Sequence, residues 1–256
     1  MRRLSLIFLL ITLAAADDFA QKRTSPSFTR IAPSKGKAAE IGQTAIVMDE
    51  VLNVLRVKPS LTAEIIHRVS RGRKVQITGV AEADGVKFYK VVSPPNSFGW
   101  IQADAVVGRF RPTDEKRFAD MVRASEGFDQ IEIGTEFFKM YPDSKLRPVI
   151  LLLFGDAVEQ LALTLSKNAN RQLKSSWIAA SAAPMQSYYL NFVQLDRYKK
   201  LGVGFLFNPT TRAYHYDGAK WAEIVKVYGS SNEAAEAKKR LDSLNVKMGR
   251  VAAAAK

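Results

Sequence analysis

The sequence predicts two folded domains, a small all-β barrel followed by a mostly α-helical region, behind an export signal and a flexible leader. Three observations carry this. From Gln43 to Gly108 short β-type runs alternate with turn residues and never reach helix length. Past Arg111 the apolar residues recur at helical spacing. Ahead of both, Arg2 and Arg3 precede the apolar run Leu4 to Leu13 and the small residues Ala14-Ala15-Ala16, the pattern of a secretory signal peptide over residues 1–16.

That apolar run is shorter than the roughly 18 residues a membrane-spanning helix needs, so no transmembrane anchor is expected. "VILLLFG", Val149 to Gly155, ends at Asp156 and Glu159 and reads as a buried helix. Residues 17–41 hold Pro26, Pro33 and Gly36 among Ser, Thr and Lys without periodicity, a flexible leader. The chain has no Cys; an exported product would then be stabilised by packing alone, without disulfides. Localisation is expected to be periplasmic or extracellular.

The formal net charge is +13, spread thinly along the chain rather than gathered in one tract. For a cytosolic chain such a balance would suggest nucleic acid. Export instead points to anionic envelope polymers or to plain solubility, and no nucleic-acid partner is assigned.

In the β region, residues 42–110, "TAIVM" at Thr44–Met48 opens the strands. Lys74 to Val80 alternates Val75 and Ile77 with Lys74, Gln76 and Thr78, and Val86 to Val92 alternates again, as half-buried strands do. Ala83-Asp84-Gly85 is a hairpin turn signal, and Pro94-Pro95-Asn96-Ser97 marks another turn.

In the helical region, residues 111–256, Thr113 is expected to cap a helix with Asp114 and Glu115 in its first turn. A second helix spans about Gln130 to Met140 and stops at Tyr141-Pro142. A long third runs from about Leu146 to Leu173, with Val149, Leu152, Leu153, Leu161 and Leu165 inward. Pro184 opens a helix with Tyr188, Phe192, Leu195 and Tyr198 on one face, stopped by Gly202. Residues 203–216 read as a β-hairpin turned at Asn208-Pro209. Asp217 then caps a short helix with Trp221, Ile224, Val225 and Tyr228 inward. Ser230 and Glu233 form a capping box for the last helix, whose face is Ala234, Ala237, Leu241, Leu244 and Met248; the tail "VAAAAK" frays.

Two resemblances follow. Leu52-Asn53-Val54, Arg56, Pro59-Ser60, Ile65-Ile66, Gly72-Arg73-Lys74-Val75 and Gly99-Trp100-Ile101 occur in the order of a bacterial SH3 domain (SH3b or SH3_3 type), so residues 43–107 resemble that family. The chain departs from its pattern by an extra residue between Val54 and Pro59 and by Lys58 where many members have Gly. "FFKMYPDSKLRPVILLLFGDAVEQLA" and "YGSSNEAAEAKKRLDSL" resemble the helix, Tyr, turn, helix units of tetratricopeptide-like (TPR-like) envelope proteins. The family's Trp-Leu-Gly positions are not laid out at repeat spacing.

The first resemblance implies an SH3-like barrel that binds a peptide or cell-wall ligand, and the second a helical domain that docks an envelope protein. The residues that match the corner and groove are Asn53, Arg56 and Lys58, with Tyr89, Phe98 and Trp100 as the nearby aromatics. Arg68, Arg71, Arg73 and Lys74 form the densest basic group, expected at a turn between strands. His67, after an apolar pair, reads as a structural strand residue. His215, beside Tyr214, Tyr216 and Asp217, is the one place where an aromatic and acidic cluster gathers in the sequence. Its single nearby carboxylate falls short of a metal set. Glu126, Asp129, Glu132 and Glu136 read as helix-face charge rather than as paired acids across a cleft. No Gly-x-Ser-x-Gly elbow and no phosphate loop occurs, and no catalytic residue, metal ligand or cofactor is assigned. The expected function is a non-enzymatic binding or scaffold protein of the cell envelope. The alternative is a cell-wall hydrolase targeted by the barrel, because SH3-like modules accompany such enzymes.

Overall fold

The computed structural model describes residues 38–94, 97–179, 183–193 and 195–250. The expected signal peptide, most of the expected leader, the middle of the Pro94–Ser97 turn and the tail from Val251 lie outside them.

The β region is a curled antiparallel sheet of seven strands: β1 (Thr44–Val47), β2 (Val54–Arg56), β3 (Ile65–Arg68), β4 (Lys74–Ala83), β5 (Val86–Ser93), β6 (Ser97–Gln102) and β7 (Val106–Val107). Their order is β3-β2-β6-β5-β4-β1-β7. The β4–β5 hairpin turns on Asp84 and Gly85, both at positive φ, the conformation of a two-residue turn that continues the strand twist. Alternation sends Val75, Ile77, Tyr89, Val91 and Ile101 inward, where with Leu55, Ala45 and Val47 they form the sheet's own core.

β1 is different, and its composition explains why. "TAIVM" is apolar at every position after Thr44, the pattern of a strand buried on both faces. Ala45 and Val47 enter the sheet's core, while Ile46 and Met48, with Val107 of β7, enter a second core formed with the helices.

Those helices are α1 (Asp114–Ala124), α2 (Gly127–Met140), α3 (Arg147–Gln172), α4 (Ser175–Ala179), α5 (Met185–Val193), α6 (Asp196–Lys199), α7 (Ala219–Val227) and α8 (Asn232–Lys247), with the hairpin β8 (Phe205–Asn208) and β9 (Ala213–Tyr216) between α6 and α7. α3 is the axis, packed by α2, α5, α7 and β9. It is long and apolar enough to cross a membrane, yet its apolar side chains Ile150, Leu151, Phe154 and Val158 fill the second core. Ala162 and Ala169 meet Tyr189, Leu195 and Tyr214 in a third.

Asp114 clamps the sheet to α1. Its carboxylate, 1% exposed, accepts from Gly108 N at 2.7 Å and from Arg111 Nε at 2.9 Å. Arg111 and Arg117 donate onward to the carbonyls of Ala103, Asp104 and Val106. The Tyr141 hydroxyl donates to Gly108 O; burial first, then the Asp114 and Glu115 charges, push it up to about 12.

Several local expectations are corrected. Thr113 holds the cap position of α1 without a side-chain bond, and the Asp114 carboxylate turns back to Gly108 and Arg111 rather than to the helix's own amides. α8 starts after Ser231, not Ser230, and no capping box forms. α7 begins after Gly218 in the left-handed region; Asp217 Oδ1 accepts from Ala219 N at 3.0 Å. Val225 is exposed instead of inward. The expected helix after Pro184 is two short ones, and Tyr189, rather than Tyr188, is buried; the Phe192 side chain lies outside the described residues.

Candidate functional site

In antiparallel strands, residues directly opposite each other share a face. Ile65 faces Arg56, Arg56 faces Trp100, and Trp100 faces Lys90, so these four form one row across β3, β2, β6 and β5. Phe98, two residues from Trp100 on β6, lies on the same face and is 69% exposed. Six of the ten exposed large hydrophobic residues belong to this part of the molecule: Val51, Val57, Leu61, Ile65, Ile66 and Phe98. Of these, Ile65 and Phe98 lie on that outer face and Val57 and Leu61 in the loop beside it, while Ile66 lies on the other face, against the inward side of Gly99.

Local chemistry fixes the face. Gly99 turns inward between its two aromatic neighbours; a Cβ there would lie 2.8 Å from Arg56 O and from Leu55 Cγ. Only glycine therefore lets β6 pass so close to β2, and the Gly-Trp-Ile motif directs Trp100 out and Ile101 in. Arg56 donates from NH1 to Ala63 O at 2.7 Å, bracing the loop between β2 and β3. The tip of the β4–β5 hairpin holds the same loop: Asp84 Oδ2 accepts from Ser60 Oγ at 2.7 Å and Leu61 N at 2.8 Å. Those two bonds lower the Asp84 carboxyl below its ordinary range. Lys58 stands exposed at the start of the loop.

The structure thus brings Arg56, Trp100 and Phe98 together, with Lys58 in the adjoining loop, and separates Asn53 and Tyr89 from them. Asn53 is buried, donating to Val69 O at 2.8 Å and accepting from Arg68 at 3.0 Å. Tyr89 is fully buried in the sheet's core, edge-on to Phe110 and 5.7 Å from the Arg111 guanidinium. Burial raises its hydroxyl above the usual range.

The basic group divides in the same way. Arg68 is spent on the carbonyls of Glu50 and Val51 as well as on Asn53. Arg71 meets Glu50 at 3.1 Å and, on α2, Asp129 at 3.0 Å and Glu132 at 3.8 Å. Burial raises the Glu132 carboxyl, Arg71 opposes that, and the charges of Asp129, Glu50 and Glu136 add to the rise. Arg71 is therefore a strut between the β3–β4 turn and α2. Arg73 and Lys74 remain exposed, beside a shallow cleft of about 410 Å³.

A second polar centre lies under the β8–β9 hairpin. Glu159, buried on α3, accepts from His215 Nδ1 at 2.9 Å, Tyr216 N at 2.8 Å and Lys247 Nζ at 2.9 Å. Burial pushes its carboxyl up, but those bonds outweigh burial and bring it down to about 2. The sequence singled out His215 without finding its partner, which comes from a helix 56 residues earlier. The available signal was Glu159 itself, a lone acid on the apolar stripe of Phe154, Val158 and Ala162. No group of three or more metal-ligating side chains occurs among the described residues.

No protein-family model, curated protein or solved structure matches the chain.

Proposed function

We propose that the chain is an exported, non-enzymatic binding protein of the bacterial cell envelope, in which an SH3-like sheet binds the peptide and glycan of the cell wall through its outer face. The observation that carries this is Phe98, 69% exposed beside Trp100 on an open sheet face. Aromatic rings held on a rigid strand offer large contact area at little cost in side-chain entropy. Arg56 and Lys90 flank Trp100 in the same row, and cations beside an aromatic surface suit a ligand that carries carboxylates, as wall peptides do.

The order of the corner and Gly-Trp-Ile motifs supports the SH3-like assignment, and their inward and outward alternation is what a small β module with a one-sided binding face needs. The helix pairs α2–α3 and α7–α8, each turned at a tyrosine, Tyr141 and Tyr228, support a TPR-like helical half that docks an envelope protein. Sedimentation with insoluble peptidoglycan tests the wall-binding half directly. Binding above an unrelated protein of similar charge is expected; recovery equal to that control would refute it.

A further inference from the structure

The row of Ile65, Arg56, Trp100 and Lys90 continues onto β4 at Gly79, which lies opposite Lys90 just past a bulge. A Cβ on Gly79 would meet Lys90 Cβ at 3.2 Å and Trp100 Cη2 at 3.8 Å. Trp100 and Gly79 stand two strands apart, about 10 Å. The indole therefore lies across β5 and reaches β4 instead of standing off the sheet, and the bare glycine is its seat. One indole face rests on the strands and the other is open, in keeping with the half-buried state of Trp100.

Two cations flank this plate. Arg56 on β2 and Lys90 on β5 are the immediate neighbours of Trp100 in the row, each about 5 Å from its strand. Neither forms an ion pair among the described residues, whereas Arg71, Lys87, Arg111 and Arg147 all do. Arg56 spends NH1 on Ala63 O, and its buried Nε has no partner. The face thus keeps two positive charges that the fold does not use.

An open aromatic plane between two unpaired cations fits a flat ring that carries an anion. The C–H groups of a pyranose are slightly positive and suit the negative face of an indole, and a carboxylate on that ring meets the cations by charge-assisted bonds. A peptide fits less well. β6 is paired with β2 on one side and β5 on the other, so no free strand edge lies under Trp100 for an extended backbone to join. Resting on the wall-binding reading and narrowing it, we propose that Trp100 stacks the N-acetylmuramic acid ring of the wall glycan, with the sugar's free carboxylate held by Arg56 and Lys90. That carboxylate is free only where the stem peptide has been removed, so the site selects strands that an amide hydrolysis has already trimmed.

The test is NMR titration of the full chain with the disaccharide of N-acetylglucosamine and N-acetylmuramic acid, following the Trp100 indole N–H. Saturable shifts are expected. The methyl ester of the muramyl carboxylate should bind about tenfold more weakly, the loss of one charged contact, and free stem peptide should leave Trp100 unmoved. Lys90→Gln, at an exposed position, should weaken the acid by a similar factor and leave the ester unchanged. The comparison of acid with ester needs no variant, so it stands whatever that substitution does to the fold. Absence of saturable shifts, equal binding of acid and ester, or stem peptide binding as tightly as the disaccharide would each overturn the proposal. Sedimentation with whole peptidoglycan keeps the two readings apart. Wall bound while the disaccharide leaves Trp100 unmoved defeats the sugar assignment alone; disaccharide bound while the wall fails to sediment the protein defeats wall binding alone.

Discussion

Glu159 shows how one acid is kept charged inside an apolar helix face. Its three donors come from β9 and α8, so the carboxylate joins three elements at one point. The folded carboxyl sits at about 2, against an ordinary 4.5. A depressed folded value contributes stability that is complete above the unfolded value and is lost as pH falls. The loss should therefore run from about pH 4.5 down through about pH 2, and acid titration of unfolding should show it. Glu159→Gln leaves Lys247 and His215 without their anion and should cost about 3 kcal/mol at neutral pH by denaturant melts, while flattening that acid limb. Gly155→Ala, one turn earlier, drives a methyl into the Trp221 indole; overpacking of this kind costs about 1–3 kcal/mol, read as a lowered melting temperature with a shifted Trp emission.

At the scale of elements, the loop between β2 and β3 is held from outside by the β4–β5 hairpin tip. Asp84→Gly keeps the positive φ that the turn requires and removes only the carboxylate that binds Ser60 and Leu61. Hydrogen exchange of residues 60–64 should quicken in that variant, while the β4 and β5 amides stay protected. Unchanged exchange would show that the loop is held by something else.

What was legible in the sequence follows from how local each signal is. Asp84-Gly85 specified its turn alone, because a type I′ hairpin turn needs positive φ at both positions and Asp-Gly tolerates it. The extent of α3 and the end of α2 were legible from apolar periodicity and from Tyr141-Pro142, whereas α2 starts at Gly127, three residues before the expected Gln130. The Asp114 clamp was not legible, since it bonds Gly108 across a chain reversal that no spacing encodes. Nor was the fate of Tyr89, since alternation places a strand residue on one of two faces and what packs against the sheet decides which face is the core; Asn53, just ahead of β2, is buried through its bonds to Arg68 and Val69, 15 and 16 residues away. The Glu159–His215 pair is nonlocal for the same reason, its members joined by tertiary packing alone.

Over the whole molecule, β1 unites sheet and helices. Ile46, Met48 and Val107 belong to the core built by α1, α2, α3, α7 and α8, and the Arg71 strut and Asp114 clamp add polar ties across the same boundary. A fragment ending near residue 110 would expose those three apolar side chains and lose both ties. It should not fold stably alone, and the full chain should unfold in one cooperative transition seen alike by near-UV and far-UV circular dichroism. Separate transitions for sheet and helices would contradict a shared core.

The rigidity of that shared core is what holds the outer sheet face in place, with its rings projecting from strands rather than loops. The most direct test of that face is a sedimentation isotherm on insoluble peptidoglycan for the wild-type protein, Phe98→Ser and, at an exposed position of α8, Ser243→Phe. Phe98 is exposed, so its replacement leaves the fold intact and removes only surface. Binding by the wild type and Ser243→Phe, with at least about a tenfold loss in Phe98→Ser, or about 1.4 kcal/mol, is the predicted result; equal binding by all three proteins would contradict it.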